Sequence, residues 1–420
     1  MNSSHTSQPC PQIELIPLRA AVCSDQPTTL DVLVRITPPT VKVSAERPRL
    51  NLGFVIDRSG SMQEFCKIEY ARQAVCYAIE QLLPSDRLSV TIFDDEVEVL
   101  VASTPATHKA TIINQVKQVH PRRGTALHQG WLEGGMQVSQ HLLEGLNRVI
   151  LLSDGLANVG ETDPDVIASH VHGLSKRGVS TSTLGVGNDY NEDLMEAIAR
   201  SGDGNYYYIE SPSQLPQIFA RELNGLVATV GTKVSLGVEP QNGVELVEVL
   251  NELTVNQYGR FYLPNLVIDN PINVVVRLKV PAANRSKLLC NFRLAWNPPQ
   301  GEPRQTYRVS LQLPVVTATQ FEQMLTSPIV EEQVMLLQAA RAKQEVVRRL
   351  DAGDLAGAGQ VLNTLHDVMS DYALSMPEVA LELESIEDLQ LQLRQRKLDA
   401  FRKKSRYQSY QRNFSRNDAK

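Results

Sequence analysis

Between residues 47 and 226, short apolar runs alternate with amphipathic stretches of helical period, and this alternation limits the possible folds more than any other feature. The runs at 50–56 (LNLGFVI), 87–93 and 149–152 are too short for helices and read as strands, the first as a short apolar run of the kind buried in a sheet. Between the first two, residues 66–83 place Ile68, Ala71, Val75, Ala78, Ile79 and Leu82 at helical spacing, and Pro84-Ser85-Asp86 ends the pattern. Further helical stretches at 109–119, 127–143, 165–176, 191–199 and 213–226 are separated by strand-like runs at 181–186 and 205–209. The pattern predicts an α/β fold: a doubly wound, mostly parallel, Rossmann-like sheet with its functional loops at the carboxyl ends of the strands.

One of those ends carries the chemistry. Residues 49–62 read RLNLGFVIDRSGSM, a buried strand running into a turn that bears Asp57, Ser59 and Ser61. At alternate positions a carboxylate and two hydroxyls can face one point, a hard-oxygen set suited to Mg²⁺ or Mn²⁺ and poor for zinc. Gly60 lets the backbone bend there. Asp and Ser after a strand also serve as turn and helix-cap residues, so a purely structural site is the alternative reading.

This D-x-S-x-S pattern resembles the metal-ion-dependent adhesion site of the von Willebrand factor A family. The resemblance implies two further ligands: Thr125 in RRGTAL (122–127), and Asp154, which ends the apolar run of NRVILLSDG (147–155). Thr125 and Asp154 are expected to join Asp57, Ser59 and Ser61 around Mg²⁺, or Mn²⁺ or Ca²⁺, directly or through water. Arg58 fills a variable position and is expected to modulate the field of the metal. The strands at 87–93 and 97–102, joined by Asp94-Asp95-Glu96, match the short antiparallel edge hairpin of the family. In that family a carboxylate from a partner protein completes the coordination, which implies a protein ligand presenting Asp or Glu.

Outside this region the pattern changes. Residues 13–21 and 28–37 alternate apolar and polar positions, yet two strands cannot stand alone in water. Residues 230–316 supply further short alternating runs broken by Gly, Pro and Asn, which predict an antiparallel β-sandwich. The expected organisation is strands of the sandwich at 1–46, the inserted A-type domain at 47–226, the rest of the sandwich at 227–316, a helical region at 317–404 and a basic, disordered tail at 405–420. The sandwich has no ligand cluster and reads as scaffold or docking surface. Helices at 331–350 and 355–370 resemble a tetratricopeptide-type hairpin, but a single hairpin is no repeat array and reads as a cap on the β-domain. One last helix is expected from Pro377 to about 404.

At 420 residues the chain calls for two or three domains. Five scattered cysteines without C-x-x-C spacing indicate neither a disulfide framework nor a zinc site. The first twenty residues lack the basic and apolar regions of a signal peptide, and no run is long enough to span a membrane, which gives a cytoplasmic expectation. Net charge is −6, but ten basic residues from Arg394 onward face only Asp399 and Asp418, so residues 1–393 carry −14. The basic tail with Phe401, Tyr407, Tyr410 and Phe414 is compatible with an acidic partner, nucleic acid or an anionic membrane surface, but it reads first as a frayed, solvated helix end, so no nucleic-acid partner is predicted. No G-x-S-x-G elbow, Walker A loop, H-E-x-x-H motif or dinucleotide fingerprint occurs, so no catalytic residue is assigned. The expected function is a non-enzymatic, metal-dependent protein-interaction module. An alternative is a non-catalytic subunit or adaptor of an AAA+ ATPase of the MoxR or chelatase kind. The plant A-domain ubiquitin ligases are also similar, although their RING is absent. The order of A-domain, β-domain and helices further resembles bacterial proteins akin to chloride-channel regulators and inter-α-trypsin inhibitor heavy chains.

Overall fold

A computed structural model describes residues 10–40, 47–154, 156–283, 285–298 and 302–415. The described residues divide into two units, one formed by those within 47–228, the other by the segments on either side. Elements are numbered along the chain.

The first unit holds a six-stranded sheet of β4 (Leu50–Asp57), β5 (Arg87–Phe93), β6 (Val97–Pro105), β7 (Leu146–Ser153), β8 (Val179–Val186) and β9 (Asp203–Ile209), in the order β6-β5-β4-β7-β8-β9. All neighbours are parallel except the β5–β6 hairpin at the edge. Every residue of β4 and β7 is buried, which explains why the apolar residues of these strands do not alternate with polar ones as in a half-exposed strand. Helices α1 (Lys67–Gln81), α2 (Lys109–Lys117), α3 (Leu127–Ser139), α4 (Pro164–Lys176), α5 (Glu192–Ser201) and α6 (Leu215–Val227) connect the strands. Close approach of α3 to the sheet depends on glycine: a Cβ at Gly134 would lie 2.2 Å from Val55 Cγ2. The order of the strands puts the ends of β4 and β7 side by side, and Asp57 and Asp154 stand there.

The second unit is the sandwich. One sheet takes β1 (Gln12–Pro17) and β3 (Thr28–Thr37) from before the first unit and β11 (Glu245–Val249) and β14 (Ile272–Val280) from after it, in the order β1-β3-β14-β11. The A-type unit is thus an insertion between strands of one sheet. The opposing sheet runs β12 (Phe261–Tyr262), β10 (Thr229–Pro240), β15 (Leu288–Asn297), β16 (Gln305–Gln312), with β13 (Leu266–Val267) also on β10. A short parallel pair joins β2 (Val22–Cys23) to β17 (Val315–Val316). Val34, Ile36, Val274 and Val276 of one sheet meet Leu236, Phe292 and Leu294 of the other in a single core.

Helices α7 (Ala318–Gln323), α8 (Pro328–Asp351), α9 (Leu355–Ala373), α10 (Pro377–Arg394) and α11 (Leu398–Asn413) complete this unit. Val330 and Leu337 of α8 pack on Leu33, Val275 and Leu250, so β3 and β14 are covered on both faces. Among the described residues no helix is long and apolar enough to cross a membrane.

Two expectations need correction. The single helix from Pro377 breaks at Arg396, which adopts a φ of 56°, and a second helix begins at Leu398. Nor is the segment from 405 a disordered tail as far as Asn413. It continues α11, because its charges find acidic partners on the neighbouring helices: Lys404 with Asp388 at 2.6 Å, and Arg412 with Glu378 and Glu382. Phe401 and Tyr410 are buried, and the Asn413 side-chain oxygen accepts from the Glu252 N–H at 2.8 Å. Residues 416–420 of the expected tail, and residues 1–9 and 41–46 of the expected first segment, lie outside the described residues.

Candidate metal centre

Asp57 is the last residue of β4, and Ser59 and Ser61 follow as the chain enters a short 3₁₀ turn over Gly60–Cys66. The Ser59 N–H donates to Asp57 Oδ1 at 2.7 Å, folding the turn back over the strand end. The Ser59 and Ser61 hydroxyl oxygens stand 3.2 Å apart, and the Ser61 hydroxyl donates to Asp154 Oδ1 at 2.9 Å. Asp154 directly follows β7, whose last residue, Ser153, donates to Asp57 Oδ2 at 2.5 Å.

Thr125 arrives from the other side, two residues before α3, and is buried. Its backbone is tied to the loop beyond Asp154: the Thr125 N–H donates to Asn158 Oδ1 at 3.0 Å, while the Asn158 and Val159 N–H groups donate to the Thr125 carbonyl. Among the described residues its hydroxyl forms no hydrogen bond with the other four side chains. Four of the five expected ligands thus form one hydrogen-bonded cluster, and the fifth sits on a loop fastened beside it.

These spacings suit a hard divalent ion. Cis oxygens around an octahedral ion with bonds of roughly 2.1 Å lie about 3.0 Å apart, close to the separations of Ser59, Ser61 and Asp154. Two carboxylates supply charge and three hydroxyls supply neutral oxygens. Among the described residues no group of three or more His, Cys, Asp or Glu is arranged to hold a metal, so the hydroxyls are indispensable to any ion bound here. Both carboxylates are raised by burial. Burial pushes Asp57 up to about 7, against the hydrogen bonds from Ser153 and Ser59, and the neighbouring Asp154 charge raises it further. Burial raises Asp154 as well, opposed by Lys67.

Lys67 was not among the residues expected. The first residue of α1, it is buried, and its ammonium donates to Asp154 Oδ2 at 2.5 Å, with Asp189 at 3.8 Å. It is a built-in positive charge within the site. A lysine opening an amphipathic helix reads as a solvated residue, so nothing in the sequence announced it. Arg58, by contrast, was singled out for the field of the metal and is engaged elsewhere, with Asp94 at 2.7 Å and Glu98 at 3.1 Å.

The rim has an unusual backbone. Phe65 and Cys66 both adopt left-handed conformations (φ 50° and 59°), which cost about 1–2 kcal/mol for each non-glycine residue. Phe65 is 80 % exposed, and Leu156, two residues past Asp154, is exposed as well.

Comparison with known proteins gives a consistent picture. Residues 51–221 match the family model described as von Willebrand factor type A domain. The uncharacterized protein YfbK of Escherichia coli is 30 % identical over 235 residues, covering 56 % of this chain and 40 % of that protein. The uncharacterized protein sll0103 of Synechocystis is 27 % identical over 333 residues, 75 % of this chain and 77 % of the relative. Mouse inter-alpha-trypsin inhibitor heavy chain H3 is 29 % identical over half of this chain, which spans only 24 % of it. Among solved structures, a von Willebrand factor type A protein from Catenulispora acidiphila superposes with a TM-score of 0.69 at 17 % identity, covering 93 % of this chain and 90 % of that one, which establishes likeness of fold.

Proposed function

Because the chain is a von Willebrand factor type A domain protein, we propose that it is a non-enzymatic protein-interaction module whose binding centre is a Mg²⁺ site built from Asp57, Ser59, Ser61, Thr125 and Asp154. The observation that carries this reading is the spacing of the Ser59, Ser61 and Asp154 oxygens, 2.9–3.2 Å along the cluster. A bound divalent ion would supply an electrophilic position open to a partner's carboxylate.

The residues of the chain do the rest. Ser153 and the Ser59 N–H hold the Asp57 carboxylate in place, so its orientation is set before any ion arrives. Ser61 and Lys67 fix Asp154 in the same way. Asp57 and Asp154 would balance the charge of a divalent ion, the hydroxyls of Ser59, Ser61 and Thr125 would add none, and the Lys67 ammonium would leave the centre with one positive charge in excess, which favours an incoming Asp or Glu.

The test is affinity capture from host lysate with the wild-type protein in Mg²⁺, the wild-type protein in EDTA, and Asp154→Ala in Mg²⁺. A partner captured only in the first condition supports the reading, and an AAA+ ATPase among such partners would assign the role of ATPase adaptor. The same partners in all three conditions would refute it.

A further inference from the structure

The two faces of the sandwich unit differ. The outer face of the β1-β3-β14-β11 sheet is covered by α8, whereas the outer face of the opposing sheet carries charged and polar side chains. On that second face, strand register assembles a row that sequence separation conceals. Arg293 of β15 pairs directly with Arg308 of β16 and, on its other side, with Gly237 of β10. Beyond Gly237 lies Arg260, whose Cγ would be 3.9 Å from a Cβ placed there. One row therefore reads Gly237, Arg293, Arg308 across three strands, continued by Arg260 from the residue just before β12.

The adjoining row contains Tyr262, Ser235, Ala295 and Thr306. Over it lies Arg304, which donates to Ser235 Oγ at 3.0 Å, to Asn297 Oδ1 at 2.8 Å and to the Lys233 carbonyl at 3.0 Å. Gly237, Ser235 and Ala295 make a low floor between taller side chains. The Arg260 guanidinium lies 5.8 Å from the ring centroid of Tyr258, which is 71 % exposed.

Among the described residues, none of these four arginines forms an ion pair with a carboxylate. Like charges directly opposite on neighbouring strands are destabilising, and Arg293 and Arg308 are such a pair. The Nη1 of Arg293 is buried without a hydrogen-bond partner. Burial, then the charges of Arg260 and Arg308, hold Arg293 below its ordinary value; Arg304 is lowered by burial and by Arg293 and Arg260. Glu239 is the acidic side chain that acts on Arg293, and it is one against four. The row therefore presents excess positive charge that an anionic group would balance.

The anion's class follows from charge and shape. A long polyanion such as nucleic acid would also experience the rest of an acidic chain of net −6, whereas a short segment engages only what lies within a Debye length of about 10 Å. Arginine and tyrosine together are also the residues most enriched at protein-binding hot spots. We propose that this face binds an acidic polypeptide segment, with its carboxylates on Arg260, Arg293 and Arg308 and its intervening side chains against Tyr258 and Tyr262. The site is separate from the metal centre and does not rest on the metal-dependent reading.

The probe is a fluorescein-labelled hexaglutamate peptide, titrated by fluorescence anisotropy with the full chain in EDTA at low salt. A ten-nucleotide oligothymidylate with the same label is run in parallel. Saturable peptide binding is expected, weakening with salt and falling at least tenfold in Arg293→Gln/Arg308→Gln. Arg348→Gln, an exposed arginine on α8, should bind as the wild type does. Because the double variant removes a like-charge pair, it should melt no lower than wild type, which separates loss of binding from loss of fold. Absence of peptide binding, equal binding by the double variant, or tighter binding of the oligothymidylate would each overturn the proposal.

Discussion

Asp57 and Lys67 set the character of the metal centre at the scale of single side chains. The folded-state value of Asp57 is raised from 3.8 to about 7. Stability from such a group is present below its unfolded value and is lost as pH rises through the folded one. The metal-free protein should therefore lose stability between about pH 4 and 7. At the proposed site a divalent ion would bind the ionised carboxylate and reverse that loss. The increase in Tm on adding Mg²⁺ should thus grow from pH 5 to 7 and level off above, as measured by thermal scans with Mg²⁺ or EDTA. An increment independent of pH would show that Asp57 does not bear on the ion. Lys67 sits on the same balance from the opposite side. Its ammonium on Asp154 repels an arriving cation but neutralises the carboxylate when none is bound. Lys67→Met should bind Mg²⁺ about tenfold more tightly at pH 8, a change of about 1.4 kcal/mol. In EDTA the same variant should melt several degrees lower, because a buried charge has lost its partner. Calorimetric titration checks the first and thermal scans the second; unchanged or weaker Mg²⁺ binding would reduce Lys67 to a structural role.

At the scale of elements, most of the A-type unit was legible because its strands and helices differ in period as well as in content. The buried run of β4 ending in Asp57, and that of β7 ending just before Asp154, could be read directly, and the parallel sheet then placed both carboxylates together. Features that depend on tertiary neighbours could not be read. Lys67 lies at the start of a helix, where lysine is ordinarily solvated. The basic residues of α11 look like a frayed end until Asp388, Glu378 and Glu382 are brought beside them. Arg260, Arg293 and the Arg304–Arg308 segment lie apart in the sequence and meet only through strand register. The close approach of α3 was equally hidden, since a glycine inside a helix signals weakness before it signals contact. Gly134→Val would drive a branched side chain into Val55, where even a Cβ has 2.2 Å. Overpacking of this kind costs about 1–3 kcal/mol, so the denaturation midpoint of the variant should fall accordingly; an unchanged midpoint would mean that α3 moves away freely.

For the whole molecule the decisive feature is that one sheet is assembled from chain on both sides of the inserted unit. β3 pairs with β14 along nine residues, from Thr28↔Val280 to Ile36↔Ile272. The chain between them contains the entire A-type unit, and contacts so distant in sequence carry a loop-closure cost before they stabilise anything. The A-type unit has no such debt, because its sheet is completed within residues 50–209. Deleting residues 1–40 would strip β1 and β3, open the edge of β14 and remove Val32, Val34 and Ile36 from the sandwich core and Leu33 from the seat of α8. Hydrogen exchange on the truncated chain should then show lost protection in β10, β14, β15 and the helices after 328, with β4, β5 and β7 still protected. Wild-type protection throughout would show that the opposing sheet and the helices sustain the sandwich without its first two long strands, and uniform loss would show that the inserted unit depends on its frame.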